Sequence, residues 1–552
     1  MGVRTRLKNA ARALLGFGPP RADARLTQGR LIGQMPGITT GPNTFLRGGL
    51  KEWRAKARWM ATVNPYAVQA KRALKVNVIG SHGIRLRGNI RKGPAVGQPT
   101  QAERRVQILK ALAQVQAAEP ADALLQLLEG QQKDEERNTV LEAWWDRFCR
   151  AENFDLAGER SFLAYQLAAV GSLPGSGGCM VRAVYRRGAR SKMRARLSFE
   201  ILPMDRLDDD YNYLSERPGH YWRNGIEFER ATGRRTRYAI FVDHPDEYDY
   251  RQATDRKRVM VPAEDIAHIY FPEEIGQTRE IPWLMPALTT IHAIEQYESS
   301  HWTRKRVTNN LLGFIEEPEQ DFPDPTVPSA PGEEGEEAEE PIDETMEAIQ
   351  QSSPGTWVKL RPGEKPHPPV FGPDDNQFPE VLRTMLRRFS GALGLSYATV
   401  SRDFSDTNWA TIRQSVQEDR DAWRVLQAEL SQILNQWVYE KALYAAIMAG
   451  DLPLDLFGDY FVTPERYLAP VWQARRWEWV DPQKELKAKE LSLGMNMDTL
   501  AALIAEANGE DLEATLIQRA YEVMLLKALG LYVPPKGAAP AEPPEEGEPR
   551  EE

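Results

Sequence analysis

Apolar side chains recur at threes and fours through Trp409, Ile412, Val416, Trp423, Leu426, Leu430, Ile433 and Trp437, which predicts a helix of about 40 residues ending at Gly450. Shorter stretches share this period. Val381, Leu382, Met385, Leu386 and Phe389 form one stripe of an amphipathic helix over 378–393. Leu288, Ile291, Ile294, Tyr297 and Trp302 mark another, with Pro286 near its start and the basic cluster Arg304-Lys305-Arg306 at its end. Trp53, Ala57 and Met60 share a side of an earlier helix, and Ser161 to Val170 forms a further one that runs into glycines and then a strand through Met180, Val181, Val184 and Tyr185. Strand-like runs at 199–208, 237–243, 267–271 and 356–360, with Asn224-Gly225 and Thr232-Gly233 as turn signals, make the chain α+β.

The segment from Asn64 to Arg87, NPYAVQAKRALKVNVIGSHGIRLR, is the most specific in the chain. Asn64 is placed to cap a helix with Pro65 at its first position, where the missing N–H costs nothing. Tyr66, Ala70, Ala73 and Leu74 follow at near-helical spacing, and the β-branched Val76, Val78 and Ile79 predict a strand ending in a turn at Gly80 and Gly83. A Gln- and Glu-rich stretch from Gln101 to Arg150 reads as helical and ends in Trp144, Trp145 and Phe148. The chain after residue 480 reads as short helices, with Asp481-Pro482 as cap and first position, stops at Gly494 and Gly509, and a final helix to Gly530.

The chain has 552 residues, enough for roughly three or four domains. Its net charge of −9 is unevenly spread: residues 1 to 92 hold nineteen Lys or Arg against Asp23 and Glu52, so this part could touch nucleic acid or an acidic protein face. Residues 316 to 347 hold fourteen acids, six prolines and no Lys or Arg, too little apolar content to fold alone. An acidic, Pro-rich tail closes the sequence. Cys149 and Cys179 are the only cysteines, which excludes a disulfide scaffold or zinc ribbon and fits a reducing cytoplasm. No apolar run approaches the roughly 18 residues of a membrane span. The N-terminal apolar patch is too short for a secretory signal, and Arg6 stands where myristoylation wants Ser or Thr.

Enzyme chemistry finds no footing in these residues. No Gly-Lys dipeptide occurs, which excludes a P-loop, and there is no HExxH pair or GxSxG elbow. The glycines of LPGSGGC precede a strand and lack phosphate-loop spacing, so they read as a turn. Asp208-Asp209-Asp210, with Asp205 nearby, has the residue types of a two-metal site, but MDRLDDDYN follows a strand and reads as a turn. His268, within AHIYF, reads as a packed strand residue. No catalytic, cofactor-binding or metal-binding residue is assigned.

The chain resembles the portal proteins of tailed bacteriophages, specifically the lambda-like portal family. The likeness rests on 64–86, on WWDRFCRAENFDLAGERSFLAYQ (144–166), on FEILPMDRLD (199–208) and on 224–247, and continues through 261–288, GLSYATVSRDFSDTNWATIR (394–413) and 479–497. Two local departures are Thr278-Arg279-Glu280, where the family often has Arg-Gly after the glutamine, and Trp409-Ala410-Thr411, where small serines often follow the loop asparagine.

The resemblance implies a portal-type subunit: a basic flexible arm (1–45), an α+β wing (46–283), a first stem helix (284–310), a clip (311–377) containing the acidic disordered insert 316–347, and a second stem helix (378–394). It further implies a DNA-facing tunnel loop (395–408), a long helix and return to the wing (409–480), a helical crown (481–531) and an acidic disordered tail (532–552). The implied assembly is a ring of identical subunits, commonly dodecameric, at one capsid vertex of the virion, built in the host cytoplasm. It would pass double-stranded DNA non-specifically during packaging and ejection. Its partners would be the terminase large subunit, a major capsid or scaffold protein and a head–tail connector, with no membrane and no cofactor. Ser401, Arg402, Asp403, Asp406 and Asn408 are the implied channel residues; Arg304, Lys305, Arg306, Arg383, Arg387 and Arg388 are stem candidates. Trp409, Trp423 and Trp437 are packing or interface anchors.

Charge agrees with a conduit, because many Lys and Arg contacts would hold DNA and stall its movement. A dodecamer would carry roughly −108, a field that centres a duplex without gripping it. Two other readings are a DNA-packaging or nuclease enzyme subunit and a minor capsid or scaffold protein that forms no channel.

Overall fold

In a computed structural model of the chain, the described residues are 41–90, 134–186, 188, 190–245, 257–315, 356–359, 377–405, 408–477, 482–508 and 512–531. The expectations for residues 1–40 of the basic arm, the helical reading of 101–133, the acidic insert 316–347, most of the clip, the Asp481 cap, the Gly509 stop and the tail 532–552 fall outside them.

The elements begin with α1 (Pro42–Val63), α2 (Pro65–Leu74), β1 (Arg85–Arg87), α3 (Glu135–Phe148), α4 (Ala151–Phe154) and α5 (Phe162–Ser176). The strands β2 (Gly178–Val184), β3 (Ser198–Leu202), β4 (His220–Arg223), β5 (Ile226–Glu229), β6 (Arg235–Phe241), β7 (Arg258–Pro262) and β8 (Ile266–Tyr270) follow. Then come α6 (Leu288–Asn310), β9 (Leu311–Ile315), β10 (Thr356–Lys359), α7 (Phe378–Ala392), α8 (Tyr397–Ser401), α9 (Trp409–Leu430) and α10 (Trp437–Ala449). The chain continues with α11 (Leu454–Phe457), β11 (Val471–Gln473), α12 (Pro482–Gly494), α13 (Leu500–Asn508) and α14 (Leu512–Ala528). The class is α+β, as the pattern predicts.

Contacts divide the chain into two compact units, one of Met1–Gly88, Thr139–Asp459 and Pro470–Arg475, the other of Asn89–Asn138, Tyr460–Ala469 and Arg476–Glu552. In the first, β3-β2-β8 form a three-stranded antiparallel sheet, with Met180 opposite both Leu202 and His268, and β4-β5-β6-β7 form an antiparallel meander. The Asn224-Gly225 signal makes the β4–β5 turn, where both residues have positive φ, the conformation that Asn and Gly tolerate best. Met180, Leu202, Met204, Leu207, Ile226, Tyr238, Ile240 and Val261 pack a core shared by the two sheets. A second core is aromatic: Phe154 stacks on Phe199 at 4.9 Å, and Trp145 meets Phe162 and Tyr439 edge-on.

Three expectations change. Val76, Val78 and Ile79 are helical, in a π-type turn over Lys75–Ile79 that prolongs α2. Val78 and Ile79 are fully buried, and tertiary packing overrides the β preference of branched side chains. The strand is deferred to β1, paired with β11. The helix begun at Ser161 runs past Val170 to Ser176 with Pro174 inside it; Trp283 and Leu284 donate their amides to the Leu173 and Pro174 carbonyls. The first helix starts at Pro42, inside the stretch expected as an arm.

The long helix forms as predicted in period and end, since α9 passes through a π-type turn at Ser431–Gln436 into α10, which Gly450 closes in a left-handed conformation. In the second unit, Asn138 brackets Ile90 by accepting from its amide at 2.9 Å and donating to its carbonyl at 3.0 Å, while Arg137 donates to the buried Tyr467 hydroxyl at 2.9 Å. Leu486, Leu491, Met495 and Met497 on and after α12 are exposed.

Candidate functional site

The Asn64 to Arg87 segment is where separate parts of the first unit meet. The Asn64 side chain accepts from the amides of Tyr66 and Ala67, capping α2, and its Nδ2 donates to Glu295 of α6 at 2.9 Å. One turn on, the Tyr66 hydroxyl donates to Glu298 of α6 at 2.9 Å; burial and that carboxylate both push its phenol up. Gln427 of α9 donates to the Val78 carbonyl at 2.9 Å, closing the π-type turn. Gln166 of α5 accepts from the Ile84 amide at 3.0 Å and donates to its carbonyl at 3.1 Å.

The expected paired helices lie together. Phe378 at the start of α7 stacks on Tyr297 and His301 of α6, with ring centroids 5.3 and 3.8 Å apart, and Ile291, Ile294, Leu386 and Phe389 are buried. Arg387 and Arg388 are exposed, as is Arg306, whereas Arg304, Lys305 and Arg383 are half-buried.

The stretch 395–408 is not a continuous loop, because Tyr397–Ser401 winds into the short helix α8. Ser396 caps it by accepting from the Thr399 amide, and Asp419 of α9 braces it from below: its carboxylate accepts from the Ser396 amide (2.8 Å), the Ser396 hydroxyl (2.7 Å) and the Thr399 hydroxyl (2.6 Å). Val400 is buried. Arg402 then ends the helix at φ 56°, left-handed for a residue that is not glycine.

Asp403, one of the implied channel residues, is engaged within its own loop. It accepts from the Tyr397 hydroxyl (2.8 Å), the Ser405 amide (3.0 Å) and the Ser405 hydroxyl (2.6 Å), and Arg383 of α7 stands 3.7 Å away. The Ser405 bonds foremost, then Tyr397, bring its carboxyl down to about 2. Arg387 lies over the Tyr397 ring at 5.6 Å. The Ser401 hydroxyl donates to the Tyr397 carbonyl and accepts from the Asp403 amide; Asn408 is exposed at the start of α9 without a side-chain cap, and Asp406 lies outside the described residues. Trp423 is buried, Trp437 donates its indole N–H to the Glu264 carbonyl at 3.1 Å, and the backbone of Trp409 begins α9.

Away from the loop, arginines engage Asp205, Asp208 and Asp209 of MDRLDDDYN, and Lys51 pairs with the exposed Asp210 at 2.8 Å. Arg54 of α1, almost fully buried, donates to Glu280 at 3.0 Å, bonds Asp209 and lies 3.5 Å from Asp205. Arg279 reaches Asp209 at 2.7 Å and Glu280 at 3.1 Å, Arg58 pairs with Asp205, and Arg258 binds Asp208 at 2.5 Å. Arg54, Arg58 and Arg279 thus balance Asp205, Asp209 and Glu280, as buried charge requires. Burial opposes the Glu280 charge, yet Arg279, His268 and Arg54 outweigh it and hold the carboxyl well below the usual range. The departure Thr278-Arg279-Glu280 therefore supplies an internal ion pair. His268 is a packed strand residue, 3.3 Å from Glu280 through Nε2, and burial brings its imidazole down to about 4. Among the described residues no group of three or more His, Cys, Asp or Glu is placed to hold a metal ion, and no helix is long and apolar enough to cross a membrane. Burial raises both thiols, Cys179 to about 12, so neither is a ready nucleophile.

Residue patterns placed Asn64 as a helix cap but did not single out Tyr66 as a contact residue, nor Asp419. A signal for Asp419 is present: Ile412, Val416, Asp419 and Trp423 share one helical stripe, and a carboxylate on an apolar stripe demands partners.

Residues 28–427 match the family described as phage portal protein, lambda family. A probable portal protein of Halomonas phage phiHAP-1 is 23% identical over 485 residues, covering 87% of this chain and 82% of that protein. Among solved structures, a chain in the virion of a native gene transfer agent particle aligns over 78% of this chain and 89% of its own length, at 13% identity and a TM-score of 0.35. A chain from the neck of the native gene transfer agent particle, computed with C12 symmetry, aligns over 82% of this chain and 93% of its own length, at 12% identity and a TM-score of 0.38. Those two likenesses are too slight for any element to be carried across.

Proposed function

The chain belongs to the lambda family of phage portal proteins, and from that membership we propose that identical copies form a closed ring, dodecameric by family expectation, around a channel for double-stranded DNA at one capsid vertex. The family match over residues 28–427 carries the reading, because it spans both paired helices, α8 and the start of the long helix. DNA passes through the ring during packaging and leaves through it at ejection. The terminase large subunit docks on it and hydrolyses ATP, the head–tail connector replaces that motor later, and the ring itself does no covalent chemistry.

In this reading 46–283 is the wing, α6 and α7 are the stem, 311–377 is the clip, 395–408 faces DNA and 481–531 is the crown. The acidic net charge suits a surface over which DNA slides, and exposed Leu486, Leu491, Met495 and Met497 offer apolar area for neighbouring copies to cover. Electron microscopy of the purified protein tests the proposal. Annuli with a central hole are expected; compact monomers or filaments would overturn it.

A further inference from the structure

Two things about Arg402 stand out together. Its backbone is left-handed, a conformation that costs a side-chain-bearing residue energy and persists where its surroundings hold it. Its guanidinium reaches back to α2: the Gln69 amide, with its oxygen turned toward the guanidinium as the surrounding donors require, accepts from Nε at 2.8 Å and from Nη2 at 3.1 Å. Gln69 lies one helical turn beyond Tyr66, so α2 grips α6 through Asn64 and Tyr66 and the end of α8 through Gln69.

The start of α8 is held independently by Asp419. With Asp419 at one end and Gln69 at the other, α8 has two anchors on different helices. The Asp419 anchor is buried and threefold, whereas the Gln69 anchor is two bonds to an exposed arginine. The second is therefore the weaker hold, and it joins the Asp403 bonds to Tyr397 and Ser401 in restraining the 402–405 segment.

We propose that Gln69 is a positioning residue, which through Arg402 fixes the channel-facing segment 402–405 relative to the stem helix α6. The functional half of this statement rests on the proposed reading of 395–408 as the DNA-facing loop. The geometric half stands without it.

The test is hydrogen exchange on the full-length purified protein, comparing wild type with Gln69→Leu, Gln69→Glu and Arg402→Gly, alongside packaged-DNA yield in assembled particles. Gln69→Leu keeps the size and loses the acceptor; amide exchange across 397–405 is expected to rise about tenfold, with exchange in α5 unchanged. Gln69→Glu retains an acceptor for the guanidinium and should keep wild-type protection. Arg402→Gly relieves the backbone but breaks the link, so it should loosen 402–405 as Gln69→Leu does, and combining the two should add nothing. Wild-type exchange in Gln69→Leu, or equal loosening by Gln69→Glu, would overturn the positioning role. If exchange rises as expected while yield stays at wild type with rings intact, the positioning role is upheld and the DNA-facing reading of the loop is what fails.

Discussion

Asp419 of α9 and Ser396 at the head of α8 are joined twice, by the Ser396 amide at 2.8 Å and its hydroxyl at 2.7 Å, and Thr399 adds a third bond at 2.6 Å. The carboxylate is buried and Ser396 and Thr399 are half-buried, so its removal leaves three donors without their acceptor. Asp419→Ala is expected to cost about 1.5–3 kcal/mol, the range for hydrogen bonds made to a charged group. Asp419→Asn, which keeps one acceptor oxygen, should cost less. Chemical denaturation followed by Trp fluorescence measures both, and equal midpoints for wild type and Asp419→Ala would show that the bonds do not stabilise the fold.

The Arg54, Arg279, Asp209 and Glu280 group invites a pair of substitutions with opposite expectations. Glu280→Gln leaves Arg54 and Arg279 facing one another with a carboxylate removed, and should destabilise by about 3–5 kcal/mol. Replacing Arg279 and Glu280 together by Met and Leu removes opposite charges in balance and should cost less than Glu280→Gln alone. Thermal unfolding ranks the variants; a double variant less stable than the single one contradicts the argument.

How far the sequence reveals this architecture depends on whether a residue's partners lie within its own element. The long helix was legible, because its period and its Gly450 stop are local, and so was the hairpin at Asn224-Gly225. The π-type turn at Lys75–Ile79 was not, since what keeps Val78 and Ile79 helical is burial and a bond from Gln427, 349 residues away. The same holds for the candidate site. Ser401 to Asp403 could be placed in a distinctive loop, but that Asp403 spends its charge on Tyr397 and Ser405, or that Gln69 meets Arg402, depends on backbone turns no pattern specifies.

His268 gives the fold an acid-side dependence whose sign follows from its neighbours. Arg235 of β6 faces Nδ1 at 3.4 Å, Glu280 faces Nε2 at 3.3 Å, and Tyr238 and Tyr270 flank the ring. The neutral ring with its proton on Nε2 satisfies both sides, accepting from Arg235 and donating to Glu280, whereas protonating Nδ1 sets it against a guanidinium. With the folded value near 4 and the unfolded value near 6.5, the unfolded chain takes up the proton first. The contribution is fully present above about pH 6.5 and is lost as pH falls toward 4. Stability measured between pH 7 and 4 should therefore fall in wild type and fall less steeply in His268→Gln; parallel pH profiles would exclude His268 as the source.

Asp403 separates two explanations of the loop, charge toward DNA and internal geometry. Its carboxyl, held near 2 by Ser405 and Tyr397, stays ionised throughout the physiological range, so both explanations have a charged residue to work with. Asp403→Asn removes the charge but keeps an oxygen that can accept from Tyr397 or Ser405. Asp403→Lys removes every acceptor and sets a cation beside Arg383. If geometry governs, the Asn variant should package DNA near the wild-type level while the Lys variant, with Asp406→Lys added, packages poorly from rings that assemble normally. If the charge itself keeps DNA from adhering, Asp403→Asn should already lower the yield, and lowering the salt concentration should deepen the loss because cationic contacts with DNA strengthen at low salt. Packaged-DNA yield at two ionic strengths, with ring assembly checked by electron microscopy, tells these apart. A wild-type yield for the double Lys variant would remove the 402–406 segment from any part in DNA passage.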